Sequence, residues 1–131
     1  MSSLVLDASA AAELLLGRGR APSIAKAAVK YDMHAPQLLV VEVASVLRGW
    51  TLSHQITEVR ARRALDDLRL LGIQLYDLWP LVIDGWRHIH NVSMYDAAYV
   101  ALAQALKCRV VTCDLKLAAA VGDVAWVPDG G

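Results

Sequence analysis

The sequence predicts an α/β fold, specifically a three-layer α/β/α sandwich with a mainly parallel central sheet. The main observation is that short apolar runs of strand length alternate with helical segments, an order that places helices on both faces of a parallel sheet. In addition, 56% of the 131 residues are hydrophobic, which argues against disorder. Because a chain of this length has room for one sizeable core, we expect residues 1–131 to form a single domain.

Local signals place the elements in the first half of the chain. Gly17 stops a helix, Ser23 is a candidate helix cap, and Pro36 suits the first turn of another helix. The expected elements are a strand at 4–6, helices at 8–16 and 23–31, a strand at 33–35 and a helix at 37–52.

The second half follows the same alternation. An amphipathic helix ends at Gly72, and Ser93 with Asp96 matches the S-x-x-D capping box that opens a later helix. Trp79 and Trp86 are expected to help cover the sheet. The expected elements are helices at 57–71, 80–91, 94–106 and 115–120, with strands at 73–76, 110–113 and 124–127.

Composition limits the classes of function. Thirteen basic and thirteen acidic residues cancel, so any nucleic-acid binding must come from local basic patches and from metal. Charged residues make up only 20%, which leaves apolar surface for a partner to cover. The sequence predicts no signal peptide and no membrane span, and therefore a cytoplasmic protein. Cys108 and Cys113 are expected to be reduced core thiols, and His88 and His90 to be partly exposed helix residues.

Four acids have sequence contexts that ordinary surface chemistry explains poorly. Asp7 ends the first apolar strand, and Asp114 follows the apolar run at 109–113. Glu42 interrupts an otherwise almost wholly apolar helix, and Asp96 lies in the first turn of another. Because sites in open α/β sheets form outside the carboxyl ends of the strands, we expect the four carboxylates to converge at one sheet edge.

Such a cluster needs a cation. Helix N-termini favour a carboxylate by about 0.3 to 1 kcal/mol each, whereas two carboxylates about 5 Å apart repel by about 3 kcal/mol at an effective dielectric of roughly 20. The available ligands are oxygens, with the hydroxyls of Ser9 and Thr112 nearby in sequence, so Mg²⁺ or Mn²⁺ is favoured over Zn²⁺. Such cations activate water and neutralise phosphate charge, which favours a metal-dependent nuclease.

Each acid also has a structural interpretation. Asp7 and Asp114 fit helix caps, Asp96 fits the capping box, and Glu42 fits an ion pair with Arg48 or another arginine. Only the combination of the four favours catalysis. Two further functions compete with a nuclease: a receiver-like α/β domain phosphorylated on an aspartate, and a catalytically silent module that serves only in binding.

The chain resembles the PIN-domain ribonucleases, and specifically the VapC-type toxins of bacterial toxin–antitoxin pairs. Four segments in order carry the resemblance, which covers essentially the whole chain. They are the opening strand with its acid at 4–10, the glutamate helix at 41–47, the third motif at 93–103 and the fourth at 111–117.

The resemblance implies an endoribonuclease dependent on Mg²⁺ or Mn²⁺ that leaves a 3′-hydroxyl and a 5′-phosphate. Its catalytic, metal-binding acids are Asp7, Glu42, Asp96 and Asp114, and its supporting residues are Ser9 and Thr112. Some relatives carry another acid shortly after the fourth. Lys116 and Leu117 stand there in this chain, which leaves open whether a second metal binds.

The resemblance also implies a homodimer, and neutralisation by a cognate VapB-type antitoxin whose tail inserts into the acidic groove. Arg18, Arg20 and Lys116 are candidate contacts for RNA phosphates, although each also fits a solvated surface charge. Tyr95 and Tyr99 are better explained by core packing or a dimer contact than by base stacking. Phosphate chemistry does not name the RNA target.

Overall fold

The computed structural model of the chain describes residues 2–130 and contains one five-stranded sheet in the order β3-β2-β1-β4-β5. Every pair of neighbouring strands is parallel. The strands are β1 (Ser3–Leu6), β2 (Asp32–Pro36), β3 (Gln74–Tyr76), β4 (Val110–Val111) and β5 (Ala125–Trp126). The helices are α1 (Ala8–Leu16), α2 (Ala21–Lys30), α3 (Leu38–Leu52), α4 (Glu58–Leu68), α5 (Leu78–Gly85), α6 (Met94–Leu106) and α7 (Leu115–Val121).

The sheet is flanked by helices, which confirms the predicted three-layer class. Helices α1 to α4 pack largely on one another, while α6 packs on β1, β2 and β4 and is contacted by α5. All residues of α6 from Ala97 to Ala103 are buried. A helix that is apolar all round belongs in the interior. The helix that carries Asp96 is therefore held from several sides by the core.

A close approach between α5 and α6 positions the start of that buried helix. A Cβ atom added at Gly85, the last residue of α5, would lie 3.2 Å from both the Cβ atom and the carbonyl oxygen of Ala97. Ala97 directly follows Asp96 and is fully buried. Gly85 thus lets α5 come near the turn that presents Asp96.

We expect Gly85→Val to lower the free energy of unfolding by about 1–3 kcal/mol, because the added side chain must displace the backbone of α6. Gly49→Ala is the control, since Gly49 lies in α3 and an added Cβ there would meet no atom within 4 Å beyond the adjacent backbone of its own helix. Alanine should raise the free energy of unfolding there by about 0.5–1 kcal/mol. Urea titrations measure both, and a Gly85→Val protein as stable as the parent would contradict the tight contact.

Several local expectations were wrong. Helix α2 begins at Ala21 rather than at the expected Ser23 cap, and the Ser23 hydroxyl instead donates a hydrogen bond to the carbonyl oxygen of Asp129. Pro36 ends strand β2 opposite Tyr76 rather than opening a helix. A strand end tolerates proline because it requires fewer ladder hydrogen bonds.

The two tryptophans expected to cover the sheet do not do so. Helix α5 buries Leu81 and Gly85, whereas Trp79 and Trp86 are 75% and 62% exposed. The α5–α6 contact uses small and aliphatic residues, so the indole rings face outward together with Ile83. This exposed apolar face is consistent with the expectation that a partner covers part of the surface.

None of the helices in residues 2–130 combines the length and the apolar character needed to cross a bilayer.

Candidate active site

The carboxyl ends of β1 and β4 meet at the centre of the sheet. The chain progresses outward from β1 to β2 and β3, and then returns to the other side of β1 to form β4. The position between β1 and β4 is therefore the topological switch point, where open α/β sheets form their sites. Asp7 follows β1 directly and Asp114 follows β4 after Thr112 and Cys113. The sheet order thus brings the first and fourth acids to one edge.

Hydroxyl groups connect the two strand ends. The Ser9 hydroxyl donates to Asp7 Oδ1 at 2.7 Å, lies 3.4 Å from the Thr112 hydroxyl and accepts a hydrogen bond from the Cys113 backbone at 2.9 Å. The Thr112 hydroxyl accepts from the Asp114 backbone at 2.9 Å. Ser9 and Thr112 therefore hold Asp7 and Asp114 in position relative to each other, which is consistent with the supporting role that the resemblance implied.

Asp7 and Asp114 are also helix caps. Asp7 Oδ1 accepts a hydrogen bond from the Ala10 backbone at 3.0 Å at the start of α1. Asp114 Oδ1 accepts from the backbones of Lys116 and Leu117 at 2.9 and 3.2 Å at the start of α7. Asp7 is buried, whereas Asp114 is exposed. The capping interpretation is thus confirmed for both, and it is compatible with a second role because Asp114 uses only Oδ1 for its recorded hydrogen bonds within residues 2–130.

Glu42 lies at the middle of α3 and contacts α6. Its Oε1 atom accepts a hydrogen bond from the Tyr99 hydroxyl at 2.6 Å. In the described chain Glu42 has no ion pair, and the expected alternative of a pair with Arg48 is therefore wrong. The sequence signal for Tyr99 was its place in the third motif, three residues after Asp96, but its link to α3 could be seen only in the fold.

Asp96 is the acid that electrostatically connects the cluster. Burial raises its pKa first, and repulsion by Asp114 raises it further, while hydrogen bonding to Ser93 opposes the change. The Ser93 hydroxyl also accepts from the Asp96 backbone at 3.2 Å, which confirms the predicted cap of α6. Asp96 in turn contributes to the raised pKa of both Asp7 and Glu42. The four acids thus interact, with Asp96 coupled to each of the others.

Burial is the main cause of the raised pKa at Asp7 as well. Desolvation raises the pKa of Asp7 from 3.8 to about 6, against hydrogen bonds from Thr112, Ala10 and Ser9 that lower it. Desolvation also raises the pKa of Glu42, and the Tyr99 hydrogen bond partly offsets that increase. The protein therefore keeps these acids partly desolvated and mutually repelling, a pattern typical of functional sites.

The donor set fits a hard divalent cation. As they stand, the described residues include no group of three or more His, Cys, Asp or Glu side chains arranged to hold a metal ion. However, the charged groups that most affect the pKa of Asp7, Glu42 and Asp96 are other acids rather than cations. Repulsion keeps ionised carboxylates apart, and a bound cation would remove that repulsion. Oxygen donors of this kind suit Mg²⁺ or Mn²⁺.

The basic candidates occupy different environments. Arg18 lies over the Trp50 ring at 4.4 Å and donates to Gln55 at 2.9 Å. Arg20 donates to the carbonyl oxygen of Pro128 at 3.1 Å and is partly buried. Lys116 is exposed in the first turn of α7. Of the three, Lys116 alone has no recorded side-chain contact within residues 2–130.

Glu13 is a residue near the site that the sequence did not indicate. It accepts a hydrogen bond from the Arg20 backbone at 2.7 Å, and it helps burial raise the pKa of Cys113 to about 12. Burial also raises the pKa of Cys108. Both cysteines are free, as expected, and stay protonated at neutral pH, which makes them poor nucleophiles.

The fold is a parallel α/β domain, and its candidate carboxylates lie near the switch point of the sheet. These two features together define the class of this protein. Residues 4–122 match the family described as the PIN domain, and the chain belongs to that family. It is 42% identical over 124 residues to Ribonuclease VapC1 of Mycobacterium tuberculosis, with 93% of each chain covered. The predicted resemblance to VapC-type proteins is therefore confirmed.

Two solved structures show the same fold. The crystal structure of VapC20 of Mycobacterium tuberculosis, described as a toxin that cleaves the sarcin–ricin loop, matches with a TM-score of 0.68 and 17% identity, covering 97% of this chain and 100% of that chain. A toxin–antitoxin complex from Klebsiella pneumoniae matches with a TM-score of 0.59 and 19% identity, covering 97% and 98%. At these identities the likeness concerns the fold.

Proposed function

We propose that this chain is a divalent-metal-dependent endoribonuclease of the VapC type, acting as a toxin that a cognate antitoxin neutralises. The observation that carries the proposal is the electrostatic coupling of Asp96 to Asp7, Glu42 and Asp114, in which the charged groups that most affect the pKa of Asp7, Glu42 and Asp96 are other acids. The relative named Ribonuclease VapC1 supports RNA as the substrate, because it is 42% identical over most of both chains.

The four acids would hold Mg²⁺ or Mn²⁺, with Ser9 and Thr112 keeping Asp7 and Asp114 in place. A bound divalent cation would supply activation of water and neutralisation of phosphate charge. In hydrolysis the water oxygen bonds to phosphorus, the bond from phosphorus to the 3′-oxygen breaks, and the 3′-oxygen leaves with a proton. The phosphate then remains on the 5′ side.

The direct test is cleavage of a mixed cellular RNA pool by purified, antitoxin-free protein in Mg²⁺, Mn²⁺ or EDTA. We expect discrete cuts with either metal and none in EDTA. Asp96→Asn should lower the cleavage rate by at least about 100-fold, since even outer partners of metal ligands typically contribute 10- to 100-fold. Asparagine keeps the backbone N–H that Ser93 caps, so the helix should persist.

Asp66→Asn is the matched control for that substitution. Asp66 is an exposed acid on α4 whose recorded partner is Arg62, 3.5 Å away, and its loss should leave cleavage unchanged. Full activity in Asp96→Asn would show that the assigned site is wrong. A folded parent protein that cuts no RNA with either metal would instead favour a catalytically silent binding module.

The proposal includes partners and setting. The fold likeness to the Klebsiella toxin–antitoxin complex supports a cognate VapB-type antitoxin, and the exposed Trp79, Ile83 and Trp86 of α5 support a protein contact such as a homodimer. Residues 1–131 would act as one PIN domain in the cytoplasm. Lys116 is the best placed of the basic residues to meet an RNA phosphate near Asp114, while Arg18 and Arg20 would have to leave their present partners.

A further inference from the structure

One partly buried hydrogen bond connects the helix of Glu42 with the helix of Asp96. The Tyr99 hydroxyl donates to Glu42 Oε1 at 2.6 Å, between residues 57 positions apart in the chain. Tyr99 is only 2% exposed and lies in the wholly buried stretch of α6. Burying a hydroxyl without a hydrogen-bond partner costs free energy, so the bond from Tyr99 to Glu42 is strongly favoured.

The position of Tyr99 on α6 gives the bond a role beyond packing. Tyr99 lies three residues after Asp96, and residues at that spacing are neighbours on one side of a helix. The same helix therefore carries Asp96 and, through the Tyr99 hydroxyl, holds the carboxylate of Glu42 by a hydrogen bond. Asp96 and Glu42 also repel each other, which would otherwise push the flexible glutamate away from the cluster.

The bond also selects which atoms of Glu42 are available. Oε1 is taken by the Tyr99 hydroxyl, and within residues 2–130 Oε2 has no recorded hydrogen-bond partner. A carboxylate fixed through one oxygen presents the other in a defined direction. Partners of this kind orient metal ligands and reduce the ordering that metal binding would otherwise require.

From this geometry we infer that Tyr99 is a positioning residue, which holds Glu42 beside Asp96 through Oε1 and presents Oε2 for a divalent cation. The inference rests on the metal site of the proposed function. Tyr99 itself does not touch the cation or the RNA. Its effect on metal binding acts entirely through Glu42, so that effect should disappear when the Glu42 carboxylate is removed.

The test is Mn²⁺ binding to the RNA-free protein, measured by isothermal titration calorimetry, for the parent and for Tyr99→Phe. We expect Tyr99→Phe to bind Mn²⁺ about 10-fold more weakly, the lower end of the range for partners of metal ligands. Phenylalanine keeps the buried ring, so circular dichroism should report an intact fold. Tyr95→Phe is the matched control: Tyr95 lies one turn earlier on α6, is 63% exposed and has no recorded hydrogen bond in the described chain.

A double-mutant cycle separates positioning from a general structural effect. In a Glu42→Gln background, Tyr99→Phe should change Mn²⁺ affinity by less than about 2-fold, because the carboxylate that it positions is gone. A 10-fold loss that persists in this background would overturn the inference, as would parent-like affinity in Tyr99→Phe alone. If the parent protein itself binds no Mn²⁺, the proposed metal site fails, and the inference fails with it. If the parent binds Mn²⁺ but cuts no RNA, the nuclease proposal fails while the Tyr99 comparison still decides the inference.

Discussion

Asp7→Asn is expected to make the metal-free protein more stable while it abolishes RNA cleavage. Asp7 is buried, and desolvation raises its pKa from 3.8 to about 6. At neutral pH the folded state therefore holds an ionised carboxylate in an unfavourable place, at a cost of up to about 3 kcal/mol. Asparagine removes the charge and keeps an oxygen that can accept the hydrogen bonds of Ser9 and Ala10. In EDTA, we expect the free energy of unfolding of Asp7→Asn to exceed that of the parent by about 1–2 kcal/mol.

The gain in the free energy of unfolding of Asp7→Asn over the parent should depend on pH, and the raised pKa of Asp7 fixes the direction of that dependence. The unfolded chain loses the Asp7 proton near pH 3.8, whereas the folded chain keeps it to about pH 6. Between these values the folded state binds more protons, so the contribution of Asp7 to stability falls as pH rises. Asp7→Asn should therefore match the parent below about pH 4, exceed it increasingly up to about pH 6, and hold a constant advantage above that.

Urea unfolding at several pH values in EDTA measures this difference. Asp66→Asn is again the control, because an exposed acid should contribute less than about 0.5 kcal/mol at any pH. Added Mg²⁺ should stabilise the parent and narrow the gap, since a ligand that binds only the folded state raises its stability. An Asp7→Asn protein that is less stable than the parent at pH 7 would show that burial of this charge is not costly.

At Asp114, two substitutions separate the cap of α7 from the metal site. Asp114→Asn retains an oxygen that can accept from Lys116 and Leu117, whereas Asp114→Ala loses it. Only the alanine variant should be destabilised, by about 1 kcal/mol, because asparagine is as good a cap as aspartate. Both variants should lose at least about 10-fold in cleavage rate, since both lose the carboxylate.

Thermal unfolding measures the stability of the two Asp114 variants, and RNA cleavage measures their activity. Loss of activity in both, with loss of stability in the alanine variant alone, supports a double role. If Asp114→Asn cleaves RNA at the parent rate, Asp114 is a helix cap and the metal site must be built from the remaining acids. Serine at position 114 would then be expected to preserve activity as well, since it is also a good cap.

Much of the fold and of the site could be predicted from local sequence. The bounds expected for α1 match the structure, because Gly17 adopts a left-handed conformation that ends the helix. Ser93 caps α6 as predicted, since a hydroxyl before a helical run can satisfy a free backbone N–H. The four acids proposed for the site stand out in the sequence because each lies at a strand end, in the first turn of a helix or within an apolar segment.

The remaining features depended on contacts between distant parts of the chain. Trp79 and Trp86 were wrongly expected to lie against the sheet, because the local sequence did not show that α5 packs through Leu81 and Gly85. Likewise, the sequence suggested Arg48 as a partner for Glu42, since both lie on one helix. The actual partner comes from α6, and no local pattern in either helix encodes that pairing.

The sequence by itself determined the alternation of strands and helices and the caps at Asp7, Ser93 and Asp114, and it indicated the four candidate acids, because these features depend on neighbouring residues and on side-chain chemistry. Only the tertiary structure decided the strand order that places β4 beside β1, the coupling of Asp96 to the other three acids, and the bond between Tyr99 and Glu42. Distances and desolvation arise from packing among segments far apart in the chain, and packing sets both the charge balance of the site and the direction in which its ligands point.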